Sequence, residues 1–191
     1  SYDEERRPAA AGNLRVTSRT ARFLAPRSSA EHTLRRAVVD LAARFPFARA
    51  LVNTGRMSVA NAYPSASHLP DGACTVQNVA LAWQDGRATS VVELLAQGRT
   101  DWLALWFAPS REQAAAASDL PPDLPLRVVA LGGDSGLPTL QPDEALARHL
   151  GDPPAGSLVL VRPDAYRAAR IERPDAASIA ACVRTGTSLQ S

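Results

Sequence analysis

The sequence predicts an α/β protein, a small sheet with helices on both faces, preceded by a helical segment. Three observations predict it. Apolar residues repeat at helical spacing over residues 1–55, prolines and serines without a period fill 56–73, and apolar runs alternate with helical patterns over 74–191. We therefore expect a helical segment at 1–55, a linker at 56–73 and an α/β domain at 74–191.

The helical segment contains three predicted helices. Pro8 suits the first turn of a helix that ends before Pro26, because the N–H that proline lacks needs no partner there. Ser28 and Glu31 have the spacing of a capping box for a second helix, and Pro46 starts a short third one. The apolar stripes of the first two helices are Ala10, Leu14, Thr17, Ala21 and Leu24, and Leu34, Val38, Leu41 and Phe45. Three helices in an open array have a weak core, so these stripes require a partner.

The predicted α/β domain alternates strands with helices. The predicted strands are 76–83, 102–108, 126–131, 157–161 and 166–171, and the predicted helices are 91–98, 110–118, 142–150 and 174–186. The unbroken apolar run at 102–108 is typical of a central strand covered on both faces. The last two strands join through a turn at 162–165 with proline at its second position. This order of elements resembles the thioredoxin arrangement.

Thioredoxin-like enzymes carry their thiols where the second strand meets its helix, because the helix N-terminus lowers the thiol pKa. Here that junction reads FAPSR at 107–111 and contains no sulfur. Cys74 and Cys182 lie far from it in sequence and form no C-x-x-C pair. We expect the domain to keep the fold without dithiol chemistry. A peroxiredoxin-like enzyme with one cysteine is a further alternative, which requires an exposed thiol of low pKa.

Composition excludes several other functions. All 21 basic residues are arginines, and 19 acidic residues scattered among them leave a net charge of +2, which is not the footprint of a nucleic-acid binder. No stretch approaches the roughly 20 apolar residues of a membrane span. Three histidines and two cysteines are too few and too scattered for a disulfide framework or a zinc site. The lack of an apolar leader favours the cytoplasm.

Two stretches are more specific than a generic α/β pattern: YDEERRPAAAGN at 2–13 and GSLVLVRPDAYRAAR at 156–170. They resemble the C-terminal part of the bacterial FAD-dependent aromatic-ring hydroxylases, the phenol hydroxylase and 3-(3-hydroxyphenyl)propionate hydroxylase group. In that family a Y-x-x-E-R-R-P segment follows the last flavin-contacting motif, and an L-V-R-P-D motif lies in a closing thioredoxin-like domain. The matching residues here are Tyr2, Glu5, Arg6, Arg7, Pro8, Leu160, Val161, Arg162, Pro163, Asp164, Tyr166 and Arg170.

The resemblance implies a C-terminal structural region of an FAD-dependent aromatic monooxygenase, whose FAD-binding motifs lie upstream of the segment where this sequence starts. It implies no catalytic, cofactor-binding or metal-binding residue in this chain; FAD and NAD(P)H belong to the full-length parent. The implied partner is the FAD-binding domain of that parent, on which the helical segment 1–55 would pack, and a homodimer stays open. The residues implied at this interface are Tyr2, Glu5, Arg6, Arg7 and Pro8. The alternative is a stand-alone thioredoxin-like binding or scaffold module without redox activity. An open reading frame upstream distinguishes the two.

Overall fold

The computed structural model describes residues 2–52, 74–98 and 100–187, without the side chains of 2–6, 50–52 and 187. The chain divides into two compact units, a helical unit at Ser1–Asn61 and an α/β unit at Ala62–Ser191. The predicted linker at 56–73 lies outside the described residues, so its position stays a prediction.

The described part of the helical unit contains α1 (Tyr2–Leu24), α2 (Ser29–Arg44) and α3 (Pro46–Val52). Helix α1 begins at Tyr2 and not at Pro8, which lies inside it. The acidic residues that the sequence places at positions 3–5 complement the helix macrodipole, so the helix extends past the proline. Helix α2 begins as predicted, because the Ser28 hydroxyl accepts a hydrogen bond from the Glu31 N–H (3.2 Å).

The α/β unit is built on a mixed six-stranded sheet. Its strands and those of a separate hairpin are β1 (Cys74–Thr75), β2 (Ala80–Ala82), β3 (Ala88–Ser90), β4 (Trp102–Phe107), β5 (Leu126–Leu131), β6 (Thr139–Leu140), β7 (Leu158–Val161) and β8 (Tyr166–Ile171). Its helices are α4 (Val91–Gly98), α5 (Arg111–Ala115), α6 (Glu144–His149) and α7 (Ala176–Thr187).

The strand order of the large sheet is β1-β8-β7-β4-β5-β6, and β2 pairs with β3 in the hairpin. Strands β4, β5 and β6 are parallel, whereas β7 is antiparallel to β4, and β8 is antiparallel to both β7 and β1. A parallel β-α-β unit followed by two antiparallel strands and a closing helix is the thioredoxin arrangement. The fold class expected from the sequence is therefore confirmed.

Two parts of the strand prediction are wrong. The predicted strand at 76–83 is a strand only at Ala80–Ala82, followed by an isolated bridge from Trp83. The residues before it bond elsewhere: the Val76 N–H donates to the Ala165 carbonyl (2.7 Å), and the Asn78 side chain accepts from the Val92 N–H (3.1 Å). Strands β1, β3 and β6 were not predicted, since two or three residues are too few to show an alternating pattern.

The predicted helices exist, with different ends. Helix α5 stops at Ala115, well before residue 118, and α6 begins at Glu144 after an Asp143 cap, two residues later than predicted. Gly186 does not end α7, as the sequence suggested, but lies inside it. A Cβ atom at Gly186 would overlap the Trp102 indole, so the missing side chain allows α7 to approach β4 closely.

The core of the α/β unit centres on β4 and β7, in which every residue is buried. Trp106 is fully buried, and its indole N–H donates to the Gly156 carbonyl (3.0 Å), so its polar atom is satisfied. Burial of each large apolar side chain contributes about 1.5–3 kcal/mol. Among the described helices, none combines the length and the apolar character that crossing a membrane requires.

Candidate functional site

The first candidate site is the junction between β4 and α5, where thioredoxin-like enzymes carry thiols. The structure places the junction as predicted, between Phe107 and Arg111. Ala108 has a φ of 40°, which is unusual for a residue with a side chain. Gly133 packs against this segment, and a Cβ there would lie 2.9 Å from the Pro109 carbonyl oxygen. The backbone of the loop after β5 therefore packs directly against the backbone of the junction.

The polar groups of this junction serve structural roles. The Ser110 hydroxyl accepts from the Gln113 backbone N–H (3.2 Å), and the side-chain Oε1 of Gln113 accepts from the Ser110 backbone N–H (3.0 Å), which completes a capping box. One Arg111 nitrogen donates to both oxygens of Asp134 (3.1 and 3.0 Å), and both side chains are largely exposed. An exposed ion pair contributes only about 0–1 kcal/mol. The hydroxyl caps a helix and is not arranged as a nucleophile.

The two cysteines are remote from this junction. Cys74 lies on β1, at the opposite edge of the sheet with β8 and β7 between it and β4, and Cys182 lies on α7. Both are free and partly buried. Burial raises the pKa of the Cys182 thiol, so less thiolate forms at neutral pH than in an exposed cysteine. Neither cysteine lies where the fold would use its thiol.

The second candidate site is the turn between β7 and β8, which contains the family-like motif. The Ala165 N–H donates to the Arg162 carbonyl (3.0 Å), and the Arg162 N–H donates to the Tyr166 carbonyl (2.8 Å). Pro163 follows Arg162, as predicted, and Ala165 has a φ of 64°. The Ala165 carbonyl accepts from Val76, as described above. The turn therefore closes the β7–β8 hairpin and anchors the segment that follows β1.

The Arg162 side chain is buried in this turn. Its Nη2 and Nε atoms donate to the two Asp164 oxygens (2.7 and 3.2 Å), and its guanidinium carbon lies 5.8 Å from the centre of the Tyr166 ring. A bidentate pair of this kind combines charge-assisted hydrogen bonds with a fixed geometry. The motif residues Arg162, Asp164 and Tyr166 thus hold the turn in one conformation.

Arg170, the last residue of the motif, acts together with Arg167, which the sequence analysis did not single out. Leu160 pairs with Ala169 and Val161 pairs with Arg167, so Ala168 is an extra residue that forms a bulge. The bulge places both arginines on one face of the sheet. Arg167 donates to the Leu150 carbonyl (3.2 Å) and Arg170 approaches the Gly151 carbonyl (3.5 Å). Both complement the negative end of α6.

The predicted interface segment lies in α1. The side chains of Tyr2, Glu5 and Arg6 are outside the described part, and Arg7 and Pro8 are exposed. In the described ranges, no group of three or more His, Cys, Asp or Glu side chains could hold a metal ion.

No family model matches the sequence, and no curated protein is significantly similar to it. The solved structures that align over most of the chain include the following three. A ternary complex of aklavinone-11 hydroxylase with FAD and aklavinone is 17% identical over 79% of this chain, with a TM-score of 0.51. BexE, studied for oxidation during BE-7585A biosynthesis, is 24% identical over 87% (TM-score 0.51). The flavin-dependent monooxygenase PieE, in complex with FAD and substrate, is 18% identical over 87% (TM-score 0.50).

The alignments cover 33%, 30% and 31% of those three proteins, so this chain spans about a third of their length. At these identities the similarity shows a shared fold. The chain is therefore similar in fold to part of FAD-dependent hydroxylases and monooxygenases.

Proposed function

We propose that this chain is the C-terminal region of an FAD-dependent aromatic monooxygenase, with a structural role that supports the larger flavin-binding part. One observation carries the proposal. The α/β unit makes up about two thirds of the chain, whereas the alignments with PieE and BexE cover 87% of it. They must therefore include part of the helical unit. Similarity that came from the thioredoxin-like domain alone would not extend the alignments into the helical unit.

The described residues favour a structural role. The junction that would hold reactive thiols carries a capping box and an exposed ion pair, and the family-like motif at Arg162 stabilises its own turn. Neither arrangement presents a nucleophile or a positioned acid and base. In this proposal FAD and NAD(P)H bind to the part of the parent encoded before this segment, and that part supplies the redox chemistry.

The coding sequence immediately upstream provides the first test. An open frame that encodes a glycine-rich dinucleotide-binding turn is expected, and a stop codon would instead favour a stand-alone binding or scaffold module. The second test is a titration of the purified 191-residue chain with FAD, followed by flavin fluorescence. No binding and no NAD(P)H oxidation are expected, while the parent retains FAD. Flavin retention by this chain alone would contradict the proposal.

The cysteines allow a test against single-cysteine redox chemistry. In a Cys74→Ser variant, Cys182 is the remaining thiol, and its burial and raised pKa slow its reaction with iodoacetamide. At neutral pH we expect alkylation roughly tenfold or more slower in the folded protein than in denaturing urea. A folded-state rate equal to or above the unfolded rate would favour a peroxiredoxin-like enzyme.

A further inference from the structure

His149, the last residue of α6, contacts two backbone groups of residues 74–77, which we call the entry segment. Its ring nitrogen Nε2 lies 3.1 Å from the Gln77 backbone nitrogen and 2.9 Å from the Thr75 carbonyl oxygen. Both distances are typical of hydrogen bonds. The imidazole therefore connects the end of α6 to the entry segment.

The two contacted groups lie on the outer side of β1. The Val76 N–H donates to the Ala165 carbonyl (2.7 Å), in the direction of β8. Backbone groups of alternate residues in an extended chain point to opposite sides, so the Thr75 carbonyl and the Gln77 N–H point away from β8. Within the described part of the large sheet, β1 is an edge strand. The His149 side chain therefore caps part of a sheet edge.

A single nitrogen cannot serve both groups at once. Without a proton, Nε2 accepts a hydrogen bond from the Gln77 N–H and turns its lone pair toward the Thr75 carbonyl oxygen, which cannot donate. With a proton, Nε2 donates to the Thr75 carbonyl and opposes the Gln77 N–H, which cannot accept. The proton on Nε2 therefore decides which of the two backbone groups α6 holds.

In the neutral ring, the bond from Gln77 is the favoured one. A backbone N–H has one hydrogen to place, whereas a carbonyl oxygen has two lone pairs and finds other donors more readily. In the imidazolium ion both ring nitrogens carry protons, so Nε2 can only donate. A donor that carries a positive charge forms the stronger hydrogen bond, which favours the Thr75 carbonyl in acid.

Histidine is the side-chain type at this place that responds to mild acid. The other titratable or charged side chains nearby on α6, β1 and β8, and directly after α6, are Arg148, Asp152, Cys74, Tyr166, Arg167 and Arg170. Of these side-chain types and histidine, only imidazole ordinarily changes charge between pH 5 and 8. A change in the contacts of the entry segment within that range would therefore report on His149.

We infer that His149 is a proton-dependent cap on the outer edge of β1, a role that is independent of the proposed function. At mildly basic pH its Nε2 atom holds the Gln77 N–H. In mild acid the same atom holds the Thr75 carbonyl and releases Gln77. The attachment of α6 to the entry segment thus moves by two residues along the chain.

The test is NMR spectroscopy of the 191-residue chain, labelled with ¹³C and ¹⁵N, across the range from pH 8 to pH 5. The Nε2 signal of His149 should change from that of an unprotonated nitrogen to that of a protonated one. In step with it, the Gln77 amide proton should move upfield and the Thr75 carbonyl carbon downfield. Amide exchange of Gln77, corrected for its intrinsic pH dependence, should become about fivefold faster in acid.

Substitution of the histidine separates the role of its proton from the role of its shape. A carboxamide contains both a donor and an acceptor and does not titrate, so His149→Gln should retain the Gln77 protection within about twofold and abolish the pH response. His149→Phe should accelerate Gln77 exchange about fivefold at pH 8. The matched control is His32→Gln on α2, an exposed histidine whose loss should leave the response unchanged.

Three results would overturn the inference. In the first, Nε2 carries a proton over the whole pH range. In the second, the ring titrates and the Gln77 and Thr75 signals do not follow it. In the third, the response persists in His149→Gln. The first two results come from the unaltered chain, so a variant that fails to fold leaves the test decisive.

Discussion

The two units of this protein show the same helical periodicity and very different burial. In the α/β unit the apolar faces meet a sheet, and residues such as Leu94, Leu146 and Ile179 are completely buried. In the helical unit the residues of the same pattern remain at the surface, with Leu34 as an example. The comparison teaches that a periodic apolar pattern predicts a helix, whereas burial depends on whether a second apolar layer is present.

The units also differ in what stabilises them. Tertiary packing stabilises the helices of the α/β unit, while α1 and α2 depend more on local interactions such as the Ser28 cap and the hydrogen bond from the Arg27 N–H to Glu31 (2.7 Å). Local interactions of this kind contribute about 1 kcal/mol each. A helix held in this way is marginal without a partner.

The largest expected difference between the units is in the free energy of unfolding after one leucine in each unit is truncated to alanine. Leu105 on β4 is fully buried, so Leu105→Ala should lower the free energy of unfolding by about 2–5 kcal/mol. Leu34→Ala on exposed α2 should change it by about 0.5 kcal/mol or less. Urea denaturation followed by tryptophan fluorescence and circular dichroism measures both. Equal losses would mean that Leu34 is packed within this chain.

Two helical glycines give a finer test, with effects of opposite sign. Gly186→Ala places a methyl group in the Trp102 ring and should destabilise the α/β unit by about 1–3 kcal/mol. A Cβ at Gly12 in α1 meets nothing within 4 Å, so Gly12→Ala should stabilise that helix by about 0.5–1 kcal/mol. Thermal unfolding by circular dichroism gives both signs. Stabilisation by Gly186→Ala would contradict the close approach of α7 to β4.

The smallest expected effect concerns the pH dependence of stability that arises from one carboxylate at a helix start in each unit. This effect should be similar in the two units. The Arg27 N–H and Arg22 lower the pKa of Glu31 below 4.5, and the Ser178 N–H and hydroxyl lower the pKa of Asp175 below 3.8. A lowered folded-state pKa gives stability that is present above the unfolded value and lost as pH falls through the folded one.

Accordingly, Glu31→Gln and Asp175→Asn should each be less stable than the unaltered protein at pH 7. The difference should shrink once the pH falls below the ordinary carboxyl values given above. Melting temperatures compared at neutral and acid pH measure this. A difference that persists in acid would assign the effect to packing and not to charge.

Strong local patterns in the sequence were sufficient to predict the main strands, helices and turns. The apolar run at 102–108 predicted a buried central strand, and the Arg162–Ala165 turn predicted the hairpin that follows. The β4–α5 junction was also located, because the apolar run of the strand ends there and a helical pattern begins directly after it. These features depend on residues close together in sequence.

The remaining features depend on contacts that local patterns do not contain. Gly186 has the sequence signature of a helix end, yet its role is set by Trp102, which is distant in sequence. The bulge at Ala168, which places Arg167 and Arg170 on the same face of the sheet, follows from the register between β8 and β7. The net charge of +2 for the whole chain also conceals a difference between the units: residues 1–61 contain eleven arginines and five acidic residues, and residues 62–191 contain ten arginines and fourteen acidic residues.

The position of β4 in the sheet has a consequence for synthesis on the ribosome. Its six apolar residues emerge early, but one of its two neighbouring strands, β7, starts only at Leu158. Until then the nascent chain carries an open strand edge rich in leucine and tryptophan, which is the kind of segment that aggregates. Chains terminated between β5 and β7 should therefore require chaperones, whereas release after β8 should not leave that edge open.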